Sequence, residues 1–397
     1  MNILIIHEVD WLKKVSFEIH HLSELLSMRS HNVFAIDVPE PNYFSKSKHN
    51  DQKLENYHRI YENASITLYR TPSIPFKGLN RISASFFSYN FIKKILQDHQ
   101  IDFVLIYSIV TNAKAAIKAC NELNIPLVHR TFDIIHDLIR ENYLRGKVEK
   151  IEREVYPKFN KVIANTPFME QWAKDMGATN VIVIPQGVDP NIMKPLDKDQ
   201  QLLNKLGFSQ TDKIVLSLGS IESFSGLDSL INKIPEIINK IPEFKLLIVG
   251  GGSHLTNLQE QVKKLNVQNK VAFTGYVPYK EVPKYCSLAA LCINTFRIND
   301  MTIKLSPVKI FDMLSCGKVV ISTPLKGLLH DFPKESYTVQ YVDLEDFHTK
   351  IIDLFQNSNI EEISNRGRDY IQKNFTWDKV TEQFLNEMNS MKNLFGT

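Results

Sequence analysis

Short apolar runs alternate with amphipathic stretches along most of the chain. The run Asn2–Ile6 is followed by apolar side chains at helical spacing between Val15 and Leu26, and a second apolar run begins at Val33. Because a strand that is buried on both faces reads as a continuous apolar run, this alternation predicts parallel sheets covered by helices. The predicted strands form two series, before and after residue 190: Asn2–Ile6, Val33–Ile36, Phe103–Tyr107, Leu127–His129, Val162–Ala164 and Val181–Ile184, then Ile214–Leu218, Leu246–Val249, Val271–Thr274, Ala290–Ile293 and Val319–Ser322.

The two series predict an α/β protein with two doubly wound domains. A chain of 397 residues is also too long for one hydrophobic core, since cores stop growing near about 250–300 residues. The segment Ile184–Pro195 contains three prolines and one glycine, and we expect it to connect the domains. The predicted units are an N-terminal Rossmann-like domain at 1–184, a C-terminal one at 185–374, and a terminal helix at 375–397.

The composition excludes several classes of protein. Hydrophobic residues make up 43% and charged residues 23%, as in globular rather than disordered chains. The net charge of +3 is spread over both halves, so no nucleic-acid partner is expected. The N-terminus becomes polar too early for a signal peptide, and no run of about 18 apolar residues occurs. We therefore expect a cytoplasmic protein, at most peripheral to the inner face of a membrane. The four cysteines form no Cys-x-x-Cys pair and are expected to be buried thiols.

Glycine is distributed unevenly along the chain. Only Gly78 and Gly146 precede residue 150, and the first strand ends in the glycine-free segment His7–Trp11. Phosphate-binding turns need glycine for tight bends and for a close approach of the backbone to the ligand. The usual dinucleotide-binding fingerprint is therefore absent from the first strand, and the second domain is the better candidate for a nucleotide site.

Several segments, read in order, resemble the retaining glycosyltransferases of family 4, which have the GT-B fold. Together they cover most of residues 100–385, and their order and spacing make the resemblance specific. The segments are PQGVDPNIMKP (Pro185–Pro195), LSLGSIESFSGLDSLI (Leu216–Ile231), LLIVGGGSHLTNLQEQV (Leu246–Val262), VAFTGYVPYKEVPKYCSLAAL (Val271–Leu291), SPVKIFDMLSCGKVVIST (Ser306–Thr323) and FTWDKV (Phe375–Val380).

The resemblance implies two facing Rossmann-like domains with a cleft between them. It implies that the C-terminal domain holds a nucleotide-sugar donor, UDP- or GDP-linked, and that the N-terminal domain holds the acceptor. The terminal helix would cross back to pack on the first domain. No cofactor is expected besides the donor itself, and no metal, because helix amides and lysines can carry the charge of the leaving diphosphate.

The segment beginning at Ser306 carries most of the expected donor chemistry. Ser306 is a favoured N-cap residue and Pro307 a favoured first-turn residue, so we predict a helix that starts here, with the amides near Val308 forming an anion site. Lys309 would add a positive charge and act on the leaving group. By the resemblance, Asp312 occupies the place of the glutamate that usually holds the ribose.

The chain departs from the family at the phosphate site. Ser220 and Ser225 stand where the family has an arginine and a lysine, and Lys304 stands where it often has a first glutamate. A leaving diphosphate needs cations or backbone amides to stabilise its charge. We therefore expect Lys304 and Lys309 to replace the missing cations.

Two glycine turns complete the expected donor site. Gly219 ends the first strand of the second domain, and Gly251 lies in the run Gly250–Ser253 that follows the next strand. These glycines permit either a close approach to the donor or an ordinary strand–helix turn. Tyr276 and Val277 stand where the family often contacts the base, although Tyr276 could instead cover the core.

The first domain offers acceptor-side and catalytic candidates. In place of the His-Asp pair that many family members carry, this chain has Phe132 and Asp133, and Asp133 is the predicted catalytic carboxylate. His129 and His136 lie nearby, but a lone histidine is more often structural. The acceptor-side candidates share a position after the first strand: His7, Asp10, Lys13 and Lys14.

The segment Arg81–Leu96 (RISASFFSYNFIKKIL) is amphipathic and basic at its ends. It is either a membrane-surface helix, which would suit a lipid-linked acceptor, or a helix packed on the sheet.

These patterns lead to three functional hypotheses. The leading one is retaining transfer of a hexose from a nucleotide diphosphate sugar to a glycan or lipid-linked acceptor. The second is a nucleotide-sugar epimerase or hydrolase of the same fold, which would need acid and base groups but no acceptor. The third is a non-catalytic GT-B protein that partners an active transferase, as the altered phosphate-site positions would allow.

Overall fold

The computed structural model describes residues 1–13, 16–40, 53–74, 76, 79–139 and 141–395. The chain forms two compact units: Met1–Gln186 together with Trp377–Thr397, and Gly187–Thr376. These are called the first and the second domain below. Lys14, one of the predicted acceptor-side residues, lies outside the described residues. Within the described chain, no helix combines the length and the apolar character needed to cross a membrane.

The described residues of the first domain form an eight-stranded sheet in the order β3-β4-β2-β1-β5-β6-β7-β8, in which β3 pairs antiparallel and the others parallel. Its strands are β1 Asn2–Ile6, β2 Asn32–Asp37, β3 Lys53–Tyr57, β4 Ile66–Arg70, β5 Phe103–Ile106, β6 Leu127–Thr131, β7 Lys161–Ala164 and β8 Val181–Val183. Its helices are α1 Glu18–Met28, α2 Leu79–Asp98, α3 Ala113–Leu123, α4 Asn142–Val155, α5 Pro167–Asp175 and α15 Trp377–Phe395.

Helices cover both faces of this sheet. One core joins the sheet to α2, α3 and α5, and a second core joins its other face to α1 and α15. The terminal helix α15 buries Trp377, Phe384 and Met388 in the second core. An ion pair between Arg29 and Asp378 links α1 to the start of α15. The last helix of the chain therefore belongs to the first domain.

A buried ion pair ties the middle of the first domain together. Arg130 on β6 donates to both carboxylate oxygens of Glu18 on α1, at 2.7 and 2.8 Å. The same guanidinium donates to the carbonyl oxygens of Ala164 and Ile184, and the Tyr107 hydroxyl donates to Glu18. A buried charge pair is tolerated only when its remaining polar atoms are satisfied, and here they are.

The second domain, which the structure describes throughout, contains a six-stranded parallel sheet in the order β11-β10-β9-β12-β13-β14. Its strands are β9 Lys213–Leu218, β10 Phe244–Val249, β11 Val271–Phe273, β12 Leu291–Asn294, β13 Val319–Ser322 and β14 Val339–Tyr341. Its helices are α6 Gln200–Lys205, α7 Leu227–Asn232, α8 Ile234–Lys240, α9 Leu255–Lys264, α10 Val282–Leu288, α11 Val308–Ser315, α12 Lys326–Asp331, α13 Phe347–Asn357 and α14 Ile360–Asn374. Two Rossmann-like domains are present, so the predicted fold class is confirmed.

All four cysteines are free and buried, as the sequence predicts. Cys286, Cys292 and Cys316 lie in one core of the second domain, and Cys120 lies in the first domain.

Candidate functional site

The glycine turns that end β9 and β10 pack directly against each other. The amide of Gly219 donates to the carbonyl of Val249, and the amide of Ile221 donates to the carbonyl of Gly251, both at 2.9 Å. Gly250 has φ of +142°, and a Cβ at this position would overlap the carbonyl oxygen of Gly219. The two strand ends are therefore locked together by backbone contacts that only glycine allows.

Tyr276 covers the second of these turns. Its hydroxyl donates to the carbonyl of Gly251 at 2.7 Å, and a Cβ on Gly251 would lie 2.9 Å from its ring. The ordinary-turn interpretation thus accounts for this glycine run. Tyr276 is nevertheless 65% exposed, so it does not cover a core, and its outer face is open to a ligand. The neighbouring Val277 packs against the domain core.

Lys309 on α11 lies beside the Gly219 turn. A Cβ on Gly219 would meet the Lys309 Cδ at 3.4 Å, and the Lys309 ammonium lies 4.2 Å from the centroid of the Phe296 ring. Loss of hydration in this position lowers the pKa of Lys309 to about 7. Lys309 is thus half-buried, with its stem and ammonium packed against protein.

The start of α11 differs from the predicted cap. The helix begins at Val308, and Pro307 rather than Ser306 is its N-cap. The Ser306 hydroxyl instead donates to the buried carboxylate of Asp331 on α12. This hydrogen bond to a charged acceptor fixes the side chain of Ser306, which caps no α11 amide. Within this fully described domain no side chain caps the α11 amides, which leaves its first turn available to an anion.

Asp312, one turn further along α11, is buried. The Tyr279 hydroxyl donates to its Oδ1 at 3.2 Å. Burial raises the pKa of Asp312 to about 7 despite this hydrogen bond. Asp312 is thus held by Tyr279 at the position where, by the resemblance, the family has the longer side chain of a glutamate.

The two serines at the altered phosphate positions have different environments. Ser220 is exposed, whereas Ser225 is buried, and its hydroxyl has no hydrogen-bond partner among the described residues. Arg297, which follows β12, reaches the same loop and donates to the carbonyl of Ser223 at 2.8 Å. It also pairs with Asp228 at 2.5 Å. Sequence reasoning missed this arginine, because nothing in its neighbourhood along the chain connects it to the loop.

Lys304 lies on a loop that is fixed by hydrogen bonds within itself. The Asn299 side chain accepts from the amides of Met301 and Thr302 at 3.0 and 2.9 Å. Gly327, in α12, approaches the Lys304 carbonyl so closely that a Cβ there would overlap it. Lys304 is partly exposed at the end of this loop, just before α11.

The acceptor-side candidates of the first domain are mostly occupied by internal contacts. Asp10 is 1% exposed, accepts from the amides of Leu12 and Lys13, and pairs with Arg70 at 2.9 Å. It is thus a structural carboxylate rather than an exposed ligand for an acceptor. The Lys13 ammonium donates to the carbonyl of Glu40 at 2.8 Å.

His7 and Asp133 lie at the ends of β1 and β6. The His7 ring stacks on Tyr107 with centroids 5.7 Å apart, and its Nδ1 accepts from the amide of Val9. Asp133 is exposed, and Phe132 before it covers the Arg130 guanidinium with 4.4 Å between them.

The two lone histidines are structural. His129 is buried between the carbonyl of Ile106 and the hydroxyl of Tyr156, at 2.9 and 3.2 Å. Burial lowers the pKa of His129 to about 3. His136 lies 2.5 Å from a Glu152 carboxylate oxygen.

Two family profiles match the chain. The profile described as "Glycosyltransferase Family 4" matches residues 18–192, and the profile described as "Glycosyl transferases group 1" matches residues 212–357. Each match covers most of one domain.

Curated relatives match over part of their length. Mannosylfructose-phosphate synthase of Agrobacterium fabrum is 25% identical over 60% of this chain and 55% of its own. Alpha-monoglucosyldiacylglycerol synthase of Streptococcus pneumoniae is 23% identical over 64% of this chain and 58% of its own. The matched region thus spans a little over half the length of these relatives.

Solved structures match over almost the whole chain. HepE from Anabaena, in complex with UDP-glucose, has a TM-score of 0.72 at 15% identity and covers 98% of this chain and 100% of that chain. This likeness shows the fold. With a family profile on each domain and the fold matched throughout, the chain belongs to the family 4, group 1 glycosyltransferases of the GT-B fold.

Proposed function

We propose that this protein transfers a hexose from a nucleotide diphosphate sugar, UDP- or GDP-linked, to a glycan or lipid-linked acceptor with retention of configuration. The observation that carries the proposal is the Lys309 ammonium, held beside the Gly219 turn and the uncapped start of α11. A half-buried cation next to open backbone amides is suited to a diphosphate.

The proposed chemistry follows from this arrangement. The bond between the anomeric carbon and the diphosphate oxygen breaks, and its electron pair stays on the diphosphate. The acceptor hydroxyl forms the new bond to the anomeric carbon, and its proton passes to the diphosphate oxygen that has left. Lys309 would stabilise the charge on the diphosphate, and Asp133 is the proposed carboxylate on the acceptor side. Its role rests on the family resemblance and on its exposure at the end of β6.

The relatives support the choice of substrates. HepE is a structural neighbour solved with UDP-glucose, and the pneumococcal relative is named as a synthase of monoglucosyldiacylglycerol. A UDP-sugar donor and a lipid acceptor are therefore the first substrates to test.

The binding test compares Lys309→Ala with the parent protein. Loss of one charge-assisted contact to phosphate costs on the order of 1.5–3 kcal/mol, so Lys309→Ala should weaken donor binding by roughly 10- to 100-fold. Lys304→Ala should weaken it less. Lys264→Ala is the matched control, because this exposed lysine ends α9 at the edge of the sheet opposite to Gly219. Calorimetric titration with UDP-, GDP-, ADP- and dTDP-sugars measures each affinity.

The pH dependence of binding separates charge from packing. A lysine with a pKa of about 7 carries its charge below that pH, so donor affinity of the parent should fall as the pH rises from 7 to 9. Lys309→Arg keeps its charge and should show a flatter profile.

Three results would contradict the proposal. Equal affinity of Lys309→Ala and the parent would remove the phosphate role of Lys309. Binding of no nucleotide sugar by the parent would favour the non-catalytic partner, which the serines at 220 and 225 suit. Complete hydrolysis or epimerisation of a donor without acceptor would favour the second hypothesis.

A further inference from the structure

Helix α2 carries large apolar side chains on its solvent face. Leu79, Ile82 and Phe86 follow one another at helical spacing, and Phe86 is 79% and Ile82 56% exposed. The opposite face is buried and contributes Ile92, Ile95 and Leu96 to the first core. The helix is thus packed on the sheet, as one of the two sequence interpretations holds, but its outer face is not polar.

The turn before α2 extends this apolar surface. Ile74 and Phe76 are 49% and 60% exposed, and the carbonyl of Phe76 accepts from the amides of Leu79 and Asn80 at 3.0 Å. These hydrogen bonds fix the turn to the first turn of the helix. Soluble monomers rarely expose so many large apolar side chains together, and such patches mark contact sites. The patch consists of Ile74, Phe76, Leu79, Ile82 and Phe86, and is called the α2 patch below.

Basic residues outnumber acidic ones on α2 and on the neighbouring helix α3. Helices α2 and α3 together carry five lysines and arginines against two acidic residues, and no Asp or Glu occurs between Thr71 and Gln97. Arg81 lies on α2 itself, 4.0 Å from Glu8, and Lys118 on α3 lies 4.2 Å from the Tyr89 ring. Lys93 and Lys114 pair with Glu122 and Glu154 at 2.7 and 2.6 Å. Lys94 and Lys118 have no ion pair among the described residues, and exposed ion pairs such as these hold their charges only weakly together.

An apolar face bordered by lysine and arginine fits an anionic lipid surface. Apolar side chains insert at the boundary between headgroups and acyl chains, while the cations stay among anionic headgroups. A second copy of the chain would bring the same positive border against itself, which opposes association.

The position of the patch agrees with this partner. Helix α2 starts at the carboxyl end of the parallel strand β4, and β1 and β6 end at the same edge of the sheet. That edge carries His7 and Asp133. We infer that the α2 patch docks the first domain onto an anionic lipid bilayer. The inference rests on the proposed function and narrows it, because a bilayer is where a lipid-linked acceptor is found.

The test measures vesicle binding of the full chain without donor or acceptor. The parent is co-sedimented with vesicles of phosphatidylcholine alone, or of phosphatidylcholine with about one third phosphatidylglycerol. We expect binding to the anionic vesicles that weakens with added salt. The double variant Ile82→Ser/Phe86→Ser should bind the anionic vesicles at least about tenfold more weakly than the parent does. Leu394→Ser is the matched control, because Leu394 is 75% exposed on α15 and lies outside the patch.

A charge variant and two further readouts complete the design. Arg81→Gln should lower binding by about fivefold and reduce its salt dependence. Thermal unfolding of each variant shows that the fold is intact, since the substituted side chains are exposed. Donor titration of the double variant should give the affinity of the parent.

Several results would overturn the inference. They are an absence of vesicle binding by the parent at low salt, equal binding by the parent and the double variant, and a parent dimer that the double variant turns into a monomer. A parent protein that binds anionic vesicles but no nucleotide sugar would instead contradict the proposed function. Failure of the docking inference and failure of the proposed function therefore give different results.

Discussion

The strand ends of the two sheets are built from different chemistry. In the first domain, buried ion pairs hold the loops at the strand ends: Asp10 and Asp37 both pair with Arg70, at 2.9 and 3.0 Å. In the second domain, glycine turns hold them: the turns at Gly219 and Gly250 contact each other through their backbones. Both solutions fix the loops, and the glycine turns also leave the backbone of Gly219 beside the cationic side chain of Lys309.

This difference explains why Asp10 and Lys309, which both lie beside the end of a strand, differ in whether a ligand can pair with them. Asp10 is consumed by three amides and an arginine, so it cannot also serve a ligand. Lys309 has an aromatic ring and a glycine as neighbours, neither of which neutralises its charge. A half-buried cation that has no ion pair among the described residues is stabilised by an incoming diphosphate, whereas a satisfied carboxylate gains little from a ligand.

The largest expected effect comes from breaking the glycine contact. Gly250→Ala places a Cβ onto the Gly219 carbonyl, at a φ of +142° that alanine rarely adopts. We expect a loss of stability on the order of 4 kcal/mol or more, together with loss of donor binding. Chemical unfolding followed by tryptophan fluorescence and by circular dichroism measures the change. A Gly250→Ala variant with the stability of the parent would show that the two turns are not locked together.

A smaller effect concerns the buried carboxyl of Asp312. Its pKa of about 7 lies above the ordinary value of 3.8, so between about pH 4 and pH 7 the folded state keeps a proton that the unfolded state has released. Stability of the parent should therefore fall as the pH rises through this window. Asp312→Asn removes the titration, so its stability relative to the parent should be greater at pH 8 than at pH 4, by on the order of 2–4 kcal/mol.

Urea unfolding of both proteins at several pH values checks this expectation. Tyr279→Phe is the matched variant, because it removes the hydrogen bond to Asp312 and keeps the carboxyl. Parallel stability curves for the parent and Asp312→Asn between pH 4 and 8 would mean that Asp312 ionises as an ordinary surface carboxylate.

The sequence predicted the fold well because most strands are buried on both faces. Such strands read as apolar runs, and eleven predicted runs correspond to observed strands. The polar strand β3 and the short strand β14 lie at sheet edges, where one side lacks a partner strand, and the runs did not reveal them. The strand β4 alternates in burial and was also missed.

The site was less predictable, because its contacts join residues distant in sequence. Capping preference favours Ser306 as an N-cap, but the Asp331 carboxylate takes its hydroxyl. The position of Asp10 after a strand favoured a role in ligand binding, but in the folded domain Asp10 pairs with Arg70. Arg297 reaches the loop at Ser223 from another strand. Local preference is a weak guide where a tertiary partner offers a stronger interaction.

The smallest expected effect tests a glycine of the first domain. Gly146 lies inside α4, and a Cβ there would meet nothing within 4 Å. Alanine costs less conformational entropy in a helix than glycine, so Gly146→Ala should stabilise the protein by about 0.5–1 kcal/mol, raising the melting temperature by about 2–4 °C at most. Donor affinity should not change, because this glycine serves neither a tight turn nor a close backbone contact. A Gly146→Ala variant that melts below the parent would mean that this position, like Gly250, needs glycine.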